Sequence, residues 1–298
     1  MVVKQRGVAL ILVLLFSAVL TTVIVVNRYK MQLTLAIGYD SKNYVLAKSL
    51  VMSKRSELQF LLATSDLWFN GVSSQTLSSL ALPADLNFWG AAFLWDDVSV
   101  SIKDTSGLLS LIPYESEAWR AMLKGLQIGH ADKLVDELSD WIDPDDFIHL
   151  NGAEQQDYPA EVSVRNGLPQ TIDEVQQLLS MDEDTWRKLH PIITYIGPGF
   201  PQAPFLSDHL LEAWLGNERA SQTRERRKGS SENIIGNYES GGGSIGGQYP
   251  SNRLMVQIKA TVGNSSYQES FTLVRGLSTR EFLYTTEVKA GFAELEQQ

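Results

Sequence analysis

No cysteine occurs anywhere in the 298 residues. That excludes disulfides, thiolate metal sites, iron–sulfur clusters and cysteine nucleophiles together. It leaves the compartment open, because a chain of this length has no need of disulfides to fold. Proline is missing before Pro83, so the first quarter of the chain lacks the strongest helix breaker. Histidine is scarce: His130, His149, His190 and His209 form neither an H-E-x-x-H element nor a close pair. Helix-end or surface histidines are the plainer reading. Paired carboxylates are abundant, but their abundance alone does not support glycosidase-type chemistry.

Positive charge is also short in most of the chain. Residues 1–64 carry eight bases and two acids, net +6, and the remainder carries 17 bases and 33 acids, net −16. An acidic body disfavours nucleic acid, whose phosphates need a positive field. It suits a soluble head whose partners are other proteins. With 44% hydrophobic and 20% charged residues, the chain has enough apolar side chains for a real core and is not disordered overall.

What is present in abundance is one apolar run. Val8 to Val26, VALILVLLFSAVLTTVIVV, holds no charge. Nineteen helical residues span about 28 Å, roughly one bilayer core. A secretory h-region is shorter and ends in a small-x-small site. Here the run is followed by Asn27-Arg28-Tyr29-Lys30, so it reads as an uncleaved anchor. Beyond it, Tyr44, Ala47, Val51, Leu58 and Leu62 recur at helical steps, with Lys48, Lys54 and Arg55 between them. One long helix to about residue 64 is expected; two helices broken near Gly38 are the alternative.

The seven-residue leader carries Lys4 and Arg6 and ends in Gly7. A short basic leader, a glycine and then an apolar helix resemble the class III signal of type IV pilins and pseudopilins. The resemblance implies cleavage by prepilin peptidase between Gly7 and Val8. It also places the leader in the cytoplasm and the head in the periplasm, an orientation that basic residues at both ends of the span leave undecided. Most such subunits carry glutamate five residues after the cut; this chain has Leu12. In these assemblies that carboxylate is thought to pair with the N-terminal ammonium of the subunit ahead. A subunit without it fits the tip, and its absence is the habit of the K pseudopilin.

The head reads as strands around a helical insert. Val98, Val100 and Ile102 alternate with Ser99, Ser101 and Lys103 as a half-buried strand. Asp104-Thr105-Ser106-Gly107 is a turn, and Leu108 to Ile112 is expected to return as its hairpin partner. Leu254, Val256, Ile258 and Ala260 form another alternating strand. Gly263-Asn264-Ser265-Ser266 turns the chain into a strand with Tyr267, Phe271 and Leu273, and Phe282 and Tyr284 suggest an edge strand. Between them the chain is mostly helical. One stripe holds Trp119, Met122, Leu123 and Leu126; another holds Leu134, Leu138, Trp141 and Ile142, stopped by Pro144. Thr171-Ile172-Asp173-Glu174 reads as a capping box for a helix with Val175, Leu178 and Leu179. Asp182 is expected to cap a helix with Trp186 and Leu189, ending at Pro191, and Leu206–Leu215 is a further helix.

Several elements together resemble the type II secretion minor pseudopilin K family over most of the chain. They are Arg6-Gly7-Val8-Ala9-Leu10, Asp104-Thr105-Ser106-Gly107-Leu108 and Leu138-Ser139-Asp140-Trp141-Ile142-Asp143. Asn151-Gly152-Ala153-Glu154 reaching Tyr158, and Thr171-Ile172-Asp173-Glu174-Val175 with Met181-Asp182, complete the set. The likeness weakens after Ile196, where Ile196–Pro204 replaces an asparagine-rich family stretch.

The expected fold is α+β: a pilin-like N-terminal helix on a small antiparallel sheet, with a large α-helical subdomain inserted between strands. The expected divisions are a leader at 1–7, a membrane span at 8–26 continuing as an amphipathic spine to about 64, a first part of the head at 65–112, an insert at 113–235, and a glycine-rich loop with the last strands at 236–298. The resemblance implies no enzyme activity, a single-pass place in the inner membrane, I and J minor pseudopilins as partners, and a role in capping and starting the pseudopilus for protein export. A type IV minor pilin and a membrane-anchored periplasmic enzyme are the alternatives.

Residues 132–184 hold 15 acids and two bases. Asp140, Asp143, Asp145 and Asp146 are candidate ligands for calcium, which takes several carboxylate and carbonyl oxygens. EF-hand spacing is absent, and a solvated acidic face is the alternative. Pseudopilins as a group often bind calcium in head loops, and Glu232 and Glu239 are further candidates on that ground. Two other patterns have plain readings. Gly241 to Gly246 spells G-x-G-x-x-G without a flanking strand and helix, so it reads as a loop. Thr223–Lys228, TRERRK, reads as a solvated basic loop.

Overall fold

The computed structural model describes residues 8–229, 250–276 and 283–292. The leader with Gly7, the glycine-rich run, Glu232, Glu239 and Phe282 lie outside these. The first element is helix α1, Val8–Thr64, 57 residues without a break at Gly38. At 1.5 Å per residue it is about 86 Å long. Every described side chain from residue 9 to residue 42 is exposed, and the helix is long and apolar enough to cross a membrane. Its few hydroxyls bond within the helix: Ser17 donates to the Leu14 carbonyl, Thr21 to Ser17 and Thr22 to Ala18, at 2.7–2.9 Å. Within the apolar run, the Ser17, Thr21 and Thr22 hydroxyls thus donate inside the helix instead of facing lipid unpaired.

From residue 43 the same helix becomes one-sided. Ala47, Val51, Leu58 and Leu62 are buried, four, seven and four residues apart, and face a five-stranded antiparallel sheet. That sheet comprises β1 (Phe93–Trp95), β2 (Val98–Asp104), β5 (Arg253–Val262), β6 (Ser265–Val274) and β7 (Tyr284–Phe292), in the order β1-β2-β5-β6-β7. Register puts Val98 opposite Ala260, Val100 opposite Ile258 and Ile102 opposite Val256, so the apolar sets share one face. Polar links fix the helix along the sheet. Arg55 pairs with the buried Glu269, Lys54 with Asp96 at 2.8 Å, and Tyr44 meets Tyr267 edge-on at 5.6 Å. Gly263 turns β5 into β6 at φ +56°, where an added Cβ would lie 2.5 Å from the Asn43 amide on α1. Two short helices, α2 (Leu67–Asn70) and α3 (Ser74–Ser79), connect the spine to the sheet and bury Trp68 and Leu77.

The expected hairpin does not form. After β2 the chain leaves the sheet, and β3 (Leu109–Ile112) pairs in parallel with β4 (Ile193–Ile196), Leu109 opposite Ile193, in a separate two-stranded sheet. Leu109, Ser110 and Leu111 are all buried. This is the unbroken burial of a parallel strand, not the alternation of an open hairpin. The place beside β2 goes to β5, whose alternation matches it. β4, absent from the sequence reading, begins two residues after Pro191.

The helical subdomain therefore has its own core, beginning at Leu109. Its helices are α4 (Ser116–Gly125), α5 (Ala131–Ile142), α6 (Glu183–Leu189), α7 (Asp208–Leu215) and α8 (Asn217–Gly229). α5 ends where Asp143 turns extended before Pro144. Asp182 caps α6, accepting from the Thr185 N–H at 2.7 Å. The segment after Thr171 differs from expectation: it is a 3₁₀ turn at Ile172–Gln177, and Thr171 makes no side-chain cap. The Glu174 carboxylate accepts instead from the Gln170 N–H and Arg165 Nε at 2.7 Å and from Trp141 at 3.4 Å. The basic run is likewise a helix, α8. Arg227 on its inner face is buried, donates to the carbonyls of Ala203, Pro204 and Leu206 at 2.6–3.0 Å, and stacks over Trp89 at 4.6 Å.

Asp104 stands where the insert leaves and returns. It is fully buried and accepts from the Ser106 N–H on the outgoing chain and the Ser251 N–H on the incoming chain, both at 2.7 Å. Gly107 lets the outgoing chain press against the Phe205 carbonyl, which an added Cβ would approach to 2.1 Å. The two cores are thus joined at this seam as well as by the Arg227–Trp89 stack.

Candidate functional site

Two regions carry the features the sequence singled out. The first is the free half of α1. Val8 is its first residue, and Leu12 lies on its exposed surface. The second is an acidic pocket on α5. Asp136, Glu137 and Asp140 are one and four residues apart on the buried face of that helix. Three buried acids in one helical turn would repel each other strongly unless each were paired.

Two of them are paired conventionally. Asp136 accepts from Arg120 at 3.0 Å and from the Asn151 N–H and side chain at 3.2 and 2.9 Å. Glu137 accepts from the Ser180 N–H and hydroxyl at 2.9 and 2.7 Å. Asp140 is fully buried and accepts from the His149 N–H at 3.1 Å and from the His149 ring. These bonds wrap the segment from Asp143 to Glu154 back over α5. Gly152 makes the wrap possible: an added Cβ would fall 1.7 Å from Asp140 Oδ2. Ala153 and Glu154, the rest of that motif, are buried behind it.

Glu154 is the residue that sequence reading missed. It is 1% exposed, and its buried carboxylate has only the loose capping-box approach of the Asp157 N–H. Asp143 Oδ1 and the Tyr158 hydroxyl are buried and unpartnered. Burial, then the charges of Asp140, Asp143, Asp146 and Asp145, raise the Glu154 pKa above the usual carboxylate range. Burial, then Asp145 and Asp140, raise that of Asp143. The Asp140 hydrogen bond raises that of His149. Asp140, Asp143 and His149 bring one ligand atom each within 4.8 Å of one another. Of the predicted set, Asp140 and Asp143 are thus brought together, whereas Asp145 and Asp146 are exposed at the rim. Glu232 and Glu239 lie outside the described residues. A cleft of about 570 Å³ lies between the head and α8, lined by Leu77, Trp89, Arg224 and Arg227 among others. Its arginines are bound to Asp208 and Glu212 and to backbone carbonyls.

This acidic pocket and the β3–β4 sheet lie within residues 102–198, which match the family model for the first domain of Type II secretion system (T2SS), protein K. The match covers about the middle third of the chain. A Type II secretion system protein K of Pectobacterium carotovorum subsp. carotovorum is 30% identical over 95 residues, 30% of this chain and 29% of that protein. The chain thus spans about three tenths of the length of the curated relative it matches. A chain in the crystal structure of the GspK-GspI-GspJ complex from the enterotoxigenic Escherichia coli Type 2 Secretion System aligns over 89% of this chain and 99% of its own length. The TM-score is 0.48 and the identity 16%. The family match stops at residue 198, close to Ile196, where the sequence likeness weakens. The glycine run, which also spells G-x-S-x-G at Gly242, Ser244 and Gly246, lies outside the described residues and within no matched domain.

Proposed function

We propose that this chain is a minor pseudopilin of a type II secretion system, the K subunit. In this reading α1 holds it in the inner membrane and its acidic head stands in the periplasm. One observation carries the reading: a single helix is bare and apolar along its first half and packed on an antiparallel sheet along its second, below an insert that matches protein K. A bare apolar half-helix serves either as an anchor or as a surface for like helices. The matched insert favours secretion over a type IV pilus.

Prepilin peptidase would cut after Gly7 and leave Val8 as the N-terminus. The spine would then pack beside those of the I and J pseudopilins. Leu12 brings no carboxylate to neutralise the ammonium of a subunit ahead, and the bulky insert leaves little room for one, so the chain would cap the tip. Its part is assembly, without catalysis of its own.

The test is mass spectrometry of the native protein together with a Gly7→Glu variant. The expected mature chain begins at Val8 and co-purifies with I- and J-type pseudopilins. The variant keeps residues 1–7 and abolishes export. A native chain that still begins at Met1 overturns the reading.

A further inference from the structure

We infer that Phe147, Ile148 and Leu150 form a docking knob for a folded protein outside the pseudopilus, whose face offers an apolar pocket ringed by lysine or arginine. Single exposed apolar side chains are ordinary on a protein surface. Here three stand within four residues, shortly after α5. Phe147 and Leu150 are 82% and 95% accessible, the two highest values for large apolar side chains among the described residues, and Ile148 is 49% accessible. Their loop is tied down along its length. The Phe147 N–H donates to Asp145 Oδ1 at 2.9 Å, the His149 N–H to the buried Asp140 at 3.1 Å, and the Asn151 N–H and side chain to Asp136 at 3.2 and 2.9 Å. Asn166, further along the chain, donates to Asp146 at 3.2 Å.

A bonded backbone thus holds these apolar side chains out in water. That is unfavourable in the free protein, because apolar surface stays wet. It favours a complex, because the loop is ordered before the partner arrives. Protruding side chains need a concave acceptor, and large apolar anchors seated in a pocket carry most of the affinity of such contacts. The surroundings set the sign of the rim. Residues 140–157 hold six acids and no lysine or arginine, and Asp145 and Asp146, just before Phe147, are exposed. A rim of lysine or arginine complements them, whereas an acidic face is repelled. The same charge disfavours a second copy of this chain, which beyond residue 64 carries 17 bases and 33 acids. A bilayer is disfavoured too: membrane-seeking segments carry lysine and arginine to meet anionic lipids, and this loop carries aspartates. The knob stands on the insert, whereas the apolar half of α1 is the part given to neighbouring spines. The inference rests on the pseudopilin reading only in placing the partner outside the pseudopilus.

The experiment places the photo-crosslinking residue p-benzoyl-phenylalanine at position 147 of the full chain in its native cell. A control probe stands at position 129, exposed at the other end of α5, about 18 Å away along that helix. Irradiation is expected to join position 147, but not position 129, to a protein. Mass spectrometry of the adduct should place the joined peptide among apolar residues flanked by lysine or arginine. Leu150→Ser should lower the adduct yield about tenfold. Asp145→Asn with Asp146→Asn, which removes two charges and keeps oxygen acceptors, should lower it about threefold. All three positions are exposed, so Tm should stay within about 2 °C of the wild type. Equal adducts at positions 147 and 129, or none at 147, overturn the inference. So does an adduct only with lipid, with a second copy of this chain or with I- or J-type pseudopilins, a joined face without lysine or arginine, or a yield unchanged in both variants. The N-terminus of the chain is read in the same cells: a chain that begins at Val8 but yields no adduct removes the knob and leaves the pseudopilin reading standing.

Discussion

Replacing Gly152 with alanine tests how tightly the loop is wrapped on α5. The new Cβ would lie 1.7 Å from Asp140 Oδ2 and 2.6 Å from its Cγ. Asp140 cannot swing away freely, because it is fully buried and holds the His149 N–H and ring. Either the loop lifts or the carboxylate leaves its donors. Overpacking a tight site costs about 1–3 kcal/mol, and a buried N–H or carboxylate that loses its partner costs about 1–3 kcal/mol more. A loss of about 3 kcal/mol is expected, which for a head of this size lowers Tm by roughly 6–12 °C. The matched control is Gly129→Ala, where nothing lies within 4 Å of the added Cβ and the change is expected to stay within about 0.5 kcal/mol. Both are measured by thermal unfolding of the full chain in detergent and chelator, followed by near-ultraviolet circular dichroism. Equal Tm values for the two variants would refute the close approach.

Further perturbations address the other joints. Leu58→Ala on the spine removes a fully buried side chain facing the sheet and is expected to lose about 2–5 kcal/mol, read by denaturant unfolding; a loss under 1 kcal/mol would mean that the spine is not packed on the sheet as described. Arg227→Ala strands three carbonyls and empties the face of Trp89, with an expected loss of about 2–4 kcal/mol by the same measurement, whereas Arg227→Lys should recover only part because it lacks the planar fork. Leu12→Glu places a carboxylate in the bilayer at a cost of about 2.5–3.5 kcal/mol; a secretion assay should show reduced export, and normal export would argue against the tip position. Burial pushes the Glu174 pKa up, but Arg165, the Gln170 N–H and Trp141 outweigh it and leave it below the ordinary 4.5. Because the folded value is the lower one, Glu174 contributes stability above about pH 4.5 that is lost as pH falls through the folded value. A Tm–pH series should show a shallower acid limb in Glu174→Gln.

What the sequence made legible follows its simplest periodicities. α1 was readable because no proline interrupts it and because Ala47, Val51, Leu58 and Leu62 keep helical spacing. β2 and β5 were readable from alternation, since each buries one face, and β6 from Tyr267, Phe271 and Leu273, although it ends buried on both faces. The misses have physical causes. Leu108 to Ile112 has the composition of a strand, but composition does not name the partner, and burial of consecutive residues was the sign of a parallel pair. α8 looked like a loop because its buried stripe, Ala220, Thr223 and Arg227, holds one small apolar residue; the rest of its burial is an arginine stacked on Trp89. Glu154 was passed over because its neighbours Gly152 and Ala153 explained the motif as a turn, and only the fold shows that its carboxylate is buried.

The seam at Asp104 explains how so large an insert is tolerated. An insertion into a sheet domain is harmless only if its two ends meet, since otherwise β2 and β5 would be pulled out of register. Asp104 meets this need with one carboxylate, each oxygen taking an N–H from a different crossing of the chain at 2.7 Å. Asp104→Ala would leave both N–H groups buried without partners, at about 1–3 kcal/mol each. Asp104→Asn keeps one acceptor oxygen and should lose about half as much. The damage should be local: the β2–β5 junction near Ser251 would open to limited proteolysis. The cores on either side, each with its own fully buried side chains, should keep their protection from hydrogen exchange. If both cores lose protection together in Asp104→Ala, the insert and the head form one cooperative unit, and the seam is part of a continuous core instead of a hinge between two.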